Sequence, residues 1–239
     1  MRNTTAIMQR ELLALFCSPI AYVVLCVFLV VTGLLALVTE SFTPGAPATL
    51  RGTFFWMPFL LAAVIPAISM RTISDEYRSG TIESLMTAPV SDAQMVIGKY
   101  LAAIVFYVIM LACTLVYLVM LMIFGQPDVG MALLSYLGLL LAGMFFMAFG
   151  VFTSSVTRNQ IVAWILGAMP LLLFVALSHW FVNELQGWWR QVFQKINVMR
   201  QLDQFNRGLI STEAVVFFLG AAALFLFLTV KVVESRRWR

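Results

Sequence analysis

The sequence predicts an all-α integral membrane protein of six transmembrane helices, and three observations carry that reading. Hydrophobic residues make up 62% of the chain and mean hydropathy is +0.96, well above the roughly 45–50% apolar content of soluble domains. Six apolar runs can be drawn, at about 20–39, 54–70, 96–124, 131–153, 161–182 and 214–230. Each approaches or exceeds the roughly 20 helical residues that cross about 30 Å of hydrocarbon. Finally, those runs contain no Asp, Glu or Arg, and Lys99 stands only at the entrance of the third.

The first run is preceded by a helical stripe. Met8, Leu12, Leu15 and Phe16 recur at i, i+4, i+7 and i+8, with Gln9, Arg10 and Glu11 between them, the pattern of an amphipathic helix lying in the membrane interface. Pro19 then turns the chain inward. A plain extension of the first span fits the same residues. The first run is too long for a signal-peptide core and lacks a small-x-small cleavage site, so it is expected to be retained. The second run is the shortest and carries Pro58 and Pro66, which remove backbone donors and favour bends. Pro170, near Gly167, marks the fifth run in the same way.

Between the second and third runs lies the polar stretch 71–91. Arg71, Asp75, Glu76, Arg78 and Glu83 charge it, and Asp75 and Arg78 stand at a pairing distance of i,i+3. Thr81 is placed to cap a short helix over 82–87, with Glu83 in its first turn and Pro89 ending it. Ser91 and Gln94 then form a capping box, stapled by Val90 and Met95, so the third helix starts near Asp92. From Asp92 to Phe124 it would measure about 50 Å against about 30 Å of hydrocarbon, enough to protrude into water even when tilted. Periodicity alone leaves two readings of 71–91, a solvated connector or a surface on which an outside energy source acts. In the fourth run, Gly138, Ala142, Gly143 and Gly150 make a small-residue stripe whose default use is packing within the chain.

Orientation follows from charge. Ten of the Lys and Arg residues flank one side (Arg2, Arg10, Arg71, Arg78, Lys99, Arg158, Lys231, Arg236, Arg237 and Arg239) and five the other (Arg51, Arg190, Lys195, Arg200 and Arg207). The positive-inside rule puts both termini in the cytoplasm. The net charge of +4 sits beside membrane spans, so the lipid bilayer is the expected partner and nucleic acid is not. Cys17, Cys26 and Cys113 show no metal-ligand spacing, and no metal site is expected; the single histidine, His179, reads as an interfacial residue. Ion-coupled transport needs ionisable groups at depth, and the chain carries no phosphate-binding loop, nucleophile elbow or HExxH motif. Neither catalysis nor ion coupling is expected in this chain. Energy must arrive from another polypeptide.

These residues resemble a known family. Glu76, Gly80, Thr81, Glu83 and Leu85, followed by Pro89 and Gly98-Lys99, are similar to the E-x-x-x-G-T-x-E-x-L, Pro, G-K signature of ABC-2 type transporter permeases. Glu11 to Phe16, Ser18-Pro19, Ala21-Tyr22, Phe28 and Gly33 at the start resemble its gliding-motility-type and nitrous-oxide-reductase-maturation-type branch. So do Phe205, Arg207, Gly208, Phe227 and Thr229 at the close. The resemblance implies one permease domain over 1–239, with an elbow helix over 1–18 (Arg10, Glu11, Phe16, Pro19) and an ATPase-coupling segment over 71–91 (Arg71, Asp75, Glu76, Arg78, Gly80, Thr81, Glu83, Leu85, Pro89). It also implies an extracytoplasmic loop with short helices over 183–213, and gating bends at Pro58, Pro66 and Pro170. Its further implications are a separate ATPase subunit that binds ATP and Mg, a second permease copy forming a homodimer, a membrane-anchored auxiliary subunit, and a bacterial inner-membrane location. The expected function is export driven by that ATPase, the alternative being mechanotransmission without a translocated substrate.

Overall fold

The computed structural model describes residues 2–39, 49–80, 91–184 and 193–237. The helices are α1 (Arg2–Cys17), α2 (Pro19–Val38), α3 (Arg51–Ser69), α4 (Ser74–Ser79), α5 (Asp92–Phe124), α6 (Val129–Val156), α7 (Gln160–Glu184), α8 (Val198–Asn206) and α9 (Thr212–Arg237). Six of them, α2, α3, α5, α6, α7 and α9, are long and apolar enough to cross a membrane. The expected six-helix membrane architecture is present, and no strand occurs among the described residues.

The spans are not equivalent. α3 and α6 are the most buried of the spans and α2 and α9 the least, so α3 and α6 form the middle of the bundle. α6 packs against α3, α5, α7, α8 and α9, and its small residues make this possible. A Cβ at Gly138 would lie 2.9 Å from the Phe205 ring of α8, one at Gly143 would overlap the Tyr107 ring of α5, and one at Gly150 would overlap Ser69 of α3. The stripe therefore serves packing within the chain. Tyr107, fully buried, adds a hydrogen bond from its hydroxyl to the Leu139 carbonyl at 2.7 Å.

Pro58 and Pro66 lie inside α3 and Pro170 inside α7, and both helices continue through them. Pro66 is buried, and a Cβ at Gly167 would come within 2.9 Å of its ring, so the second and fifth spans meet closely there. Pro170 instead faces outward from the bundle. Near the same crossing, Trp164 Nε1 donates to the Ala63 carbonyl at 3.1 Å, one turn before Pro66 in α3.

α1 is a helix in its own right, separated from α2 by Ser18 in an extended conformation, with Pro19 at the first turn of α2. The break between the two helices falls at Ser18. Leu12, Leu15 and Phe16 pack on the core, and the Phe16 ring meets Phe106 of α5 edge-on at 5.5 Å. Its principal neighbour is α5.

α5 begins as its sequence dictates. Ser91 Oγ accepts from the Gln94 amide and Gln94 Oε1 accepts from the Ser91 amide, both at 3.3 Å, a complete capping box. The helix then runs 33 residues to Phe124. α9 extends past the apolar run to Arg237, which carries Arg236 to the face that also bears α1 and α4; there its guanidinium lies 4.6 Å from the Tyr77 ring centre and donates to the Val156 carbonyl. Both ends of the chain thus share one face, called here the terminal face.

Candidate functional site

The terminal face holds the ionic centre of the molecule. Lys99, one turn into the apolar run of α5, has a side chain only 2% exposed, and its Nζ lies 2.9 Å from Glu11 Oε1 and 2.7 Å from Glu76 Oε1. Glu11 belongs to α1 and Glu76 to α4, so one ammonium ties together the N-terminal helix, the stretch leaving the second span and the third span. A lysine buried without partners would lose its charge or unfold its surroundings. Here two carboxylates compensate it.

The local sequence explains why α1 can reach Lys99. A Cβ at the preceding Gly98 would stand 2.9 Å from Ile7 Cγ2 and 3.1 Å from the Thr4 carbonyl. The Gly-Lys pair therefore has two separate jobs: the glycine admits the α1 backbone against α5, and the lysine fastens it.

A second set of hydrogen bonds braces the turn after α3. Ser154 Oγ, on α6, accepts from the Ile73 and Ser74 amides at 3.1 Å each and donates to the Met70 carbonyl at 2.9 Å. Asp75 accepts a hydrogen bond from Gln160 Nε2 at the start of α7. Arg71 Nη1 donates to Ser18 Oγ, at the joint between α1 and α2, at 3.3 Å. α4 then ends at Gly80, whose φ of +72° is left-handed and suits a residue without a side chain.

Several of the residues the sequence singled out converge here. Glu11, Arg71, Asp75 and Glu76 meet around Lys99 and Ser18, and Arg10 lines the same cavity. Phe16 and Pro19 shape the α1–α2 joint, and Arg78 is exposed to solvent. Thr81, Glu83, Leu85 and Pro89 lie outside the described residues. Pro58, Pro66 and Pro170 sit within the spans, away from this centre. Two participants escaped the sequence reading. Lys99 counted there as a flanking charge and as part of the Gly98-Lys99 match, not as a pairing centre, and Ser154 carried no reading. The available signal for Lys99 was its place inside the run Val96-Ile97-Gly98-Lys99-Tyr100, where a solvated lysine has no reason to stand.

No group of three or more His, Cys, Asp or Glu side chains placed to hold a metal occurs among the described residues. The centre is an ion-paired joint among three helices of a six-span bundle. A family model described as ABC-2 family transporter protein matches residues 4–233. The chain belongs to the ABC-2 transporter family. No curated protein matches it. This ABC-2 protein is accordingly a multi-pass membrane component of an ABC transporter, a family whose membrane components generally work with an ABC ATPase and are not themselves catalytic.

Proposed function

We propose that the chain is the permease subunit of an ATP-driven exporter, with the terminal face in the cytoplasm of a bacterial inner membrane and two ATPase subunits acting on the 71–91 segment and α1. The observation that carries this reading is the Glu11–Lys99–Glu76 joint. A push on the segment after the second span reaches α1 and α5 directly because all three share one buried ammonium. Braced by Ser154 and Gln160, the same segment also bears on α6 and α7. Motion there would pass to the second and fifth spans, which meet at Pro66 and Gly167. The working unit in this reading is a homodimer with two ATPase copies, joined by an auxiliary membrane-anchored subunit as in the gliding-type branch. ATP and Mg belong to the partner.

The joint changes which substitutions test coupling. Glu76→Lys would place a second cation against buried Lys99, so its first effect is on folding, and it cannot report coupling alone. Glu83→Ala, Gly80→Pro and the surface change Arg78→Glu are better probes. With normal expression of all three variants, the complex in vesicles should lose stimulation of the partner ATPase. Wild-type stimulation in all three would reduce 71–91 to a connector. Stimulated hydrolysis with no flux of any candidate cargo would favour mechanotransmission over export. Cysteines placed at Asn3 and Ser235 should be shielded from impermeant reagents in intact cells, and one at Gln191 labelled; the reverse pattern would overturn the orientation.

A further inference from the structure

Two buried polar atoms of opposite character stand without a protein partner beside the joint. Arg71 Nε is a donor and Glu76 Oε2 an acceptor, and Glu76 as a whole is only 8% exposed. Both side chains line one cavity of about 280 Å³ at the meeting of α1, α3, α4 and α5. Buried polar atoms cost free energy unless something completes their hydrogen bonds, so the chemistry of these two describes the occupant.

The occupant must accept from Arg71 and donate to Glu76. Arg10 and Lys99 add positive charge to the walls, and Glu11 and Asp75 add negative charge, so the lining is balanced overall. A simple anion such as phosphate would satisfy Arg71 while facing three carboxylates. A simple amine would satisfy Glu76 while facing three cations. A zwitterion with an anionic acceptor at one end and N–H donors at the other meets both needs. Besides Ser18 and Thr72, the uncharged lining is apolar, formed by Ala14, Leu15, Ile68 and Ala103, and Ile68 and Ala103 belong to membrane spans. Apolar residues of two spans beside a zwitterion-matched pocket suit a headgroup that carries acyl chains.

We propose that this cavity binds the headgroup of an aminophospholipid of the phosphatidylethanolamine type, its phosphate toward Arg71 and Arg10 and its ammonium toward Glu76. The site stands apart from the coupling reading, because it rests on the cavity and not on any ATPase contact. Three lipids separate the requirements. Phosphatidylethanolamine has both groups, phosphatidylcholine has the phosphate but no N–H donor, and phosphatidylglycerol has no amine.

The test is native mass spectrometry of the full-length protein, delipidated in detergent and then given an equimolar mixture of the three lipids. Phosphatidylethanolamine should be retained over each of the others by about fivefold or more, the value of one well-made buried hydrogen bond. Arg71→Gln, which leaves the Lys99 pairs in place, should lower retention of all three lipids by about fivefold, since each carries the phosphate that Arg71 would hold. Equal retention of the three lipids by the wild type, retention of none, or undiminished lipid retention in Arg71→Gln would each overturn the proposal. Soluble phosphoethanolamine should fail to displace the lipid at equal concentration; displacement would assign the pocket to a free phosphate ester and overturn the lipid assignment.

Discussion

At the terminal face a lysine with a 2% exposed side chain is held between two carboxylates, whereas at the far face Asp203 pairs with Arg51 at 3.4 Å and with Arg207 at 2.6 Å while those side chains remain 41–61% exposed. The chemical groups are nearly the same and their consequences differ. Exposed pairs gain little, because water screens the attraction and holding long side chains still costs entropy. A buried pair is held to its geometry, because separating it leaves a charge in a poor solvent. The far end is fastened instead by packing. α8 is capped by the Asn197 side chain and presses Phe205, fully buried, onto Gly138 of α6.

The comparison can be broken most directly at its strongest point. Lys99→Met should cost about 3–5 kcal/mol by leaving two carboxylates without their cation, read as a lowered thermal midpoint of the detergent-solubilised protein. Lys99→Met combined with Glu76→Gln should recover part of that loss, since one of the stranded charges is gone. A wild-type midpoint for Lys99→Met would mean that the joint is solvated and the contrast between the two ends false. Phe205→Ala should cost a similar amount, about 3–5 kcal/mol, through the cavity left against Gly138; a negligible loss would show that the far end is not held by packing.

The smallest expected effect sharpens the contrast. Asp203→Asn, which removes the charge shared by both far-face pairs, should change stability by less than about 1 kcal/mol. Raising salt to 1 M, where the screening length falls to about 3 Å, should erase the Asp203→Asn effect and leave most of the Lys99→Met effect. Equal salt sensitivity of the two variants would put both ends in the same solvent.

What the sequence made legible was local. Hydropathy located the spans because each apolar run is continuous, and the Ser91–Gln94 capping box marked the first residue of α5 because its chemistry is complete within four residues. The Leu12, Leu15 and Phe16 stripe and Pro19 outlined a helix before the first span by the same kind of local rule, and left open whether it continued into α2. The ionic joint was not legible as a joint. Glu11, Glu76 and Lys99 were each visible, but their pairing depends on how α1 and α4 come to rest on α5, and a count of flanking charges treats Lys99 as solvated. Ser154 was hidden for a related reason: a serine near the end of a span is ordinary until the Ile73 and Ser74 amides are known to point at it. The expected short helix over 82–87 falls outside the described residues.

The 88-residue separation between Glu11 and Lys99 also bears on how the molecule is made. During synthesis α1 emerges first, and its carboxylate has no lysine to meet until the third span has been produced. At about 5–20 residues per second that interval is on the order of ten seconds. Lys99 arrives at the edge of an apolar helix that must enter the bilayer, and it becomes tolerable there only when Glu11 and Glu76 close on it. The joint therefore closes only after α1 and the first two spans have been made and the third has begun.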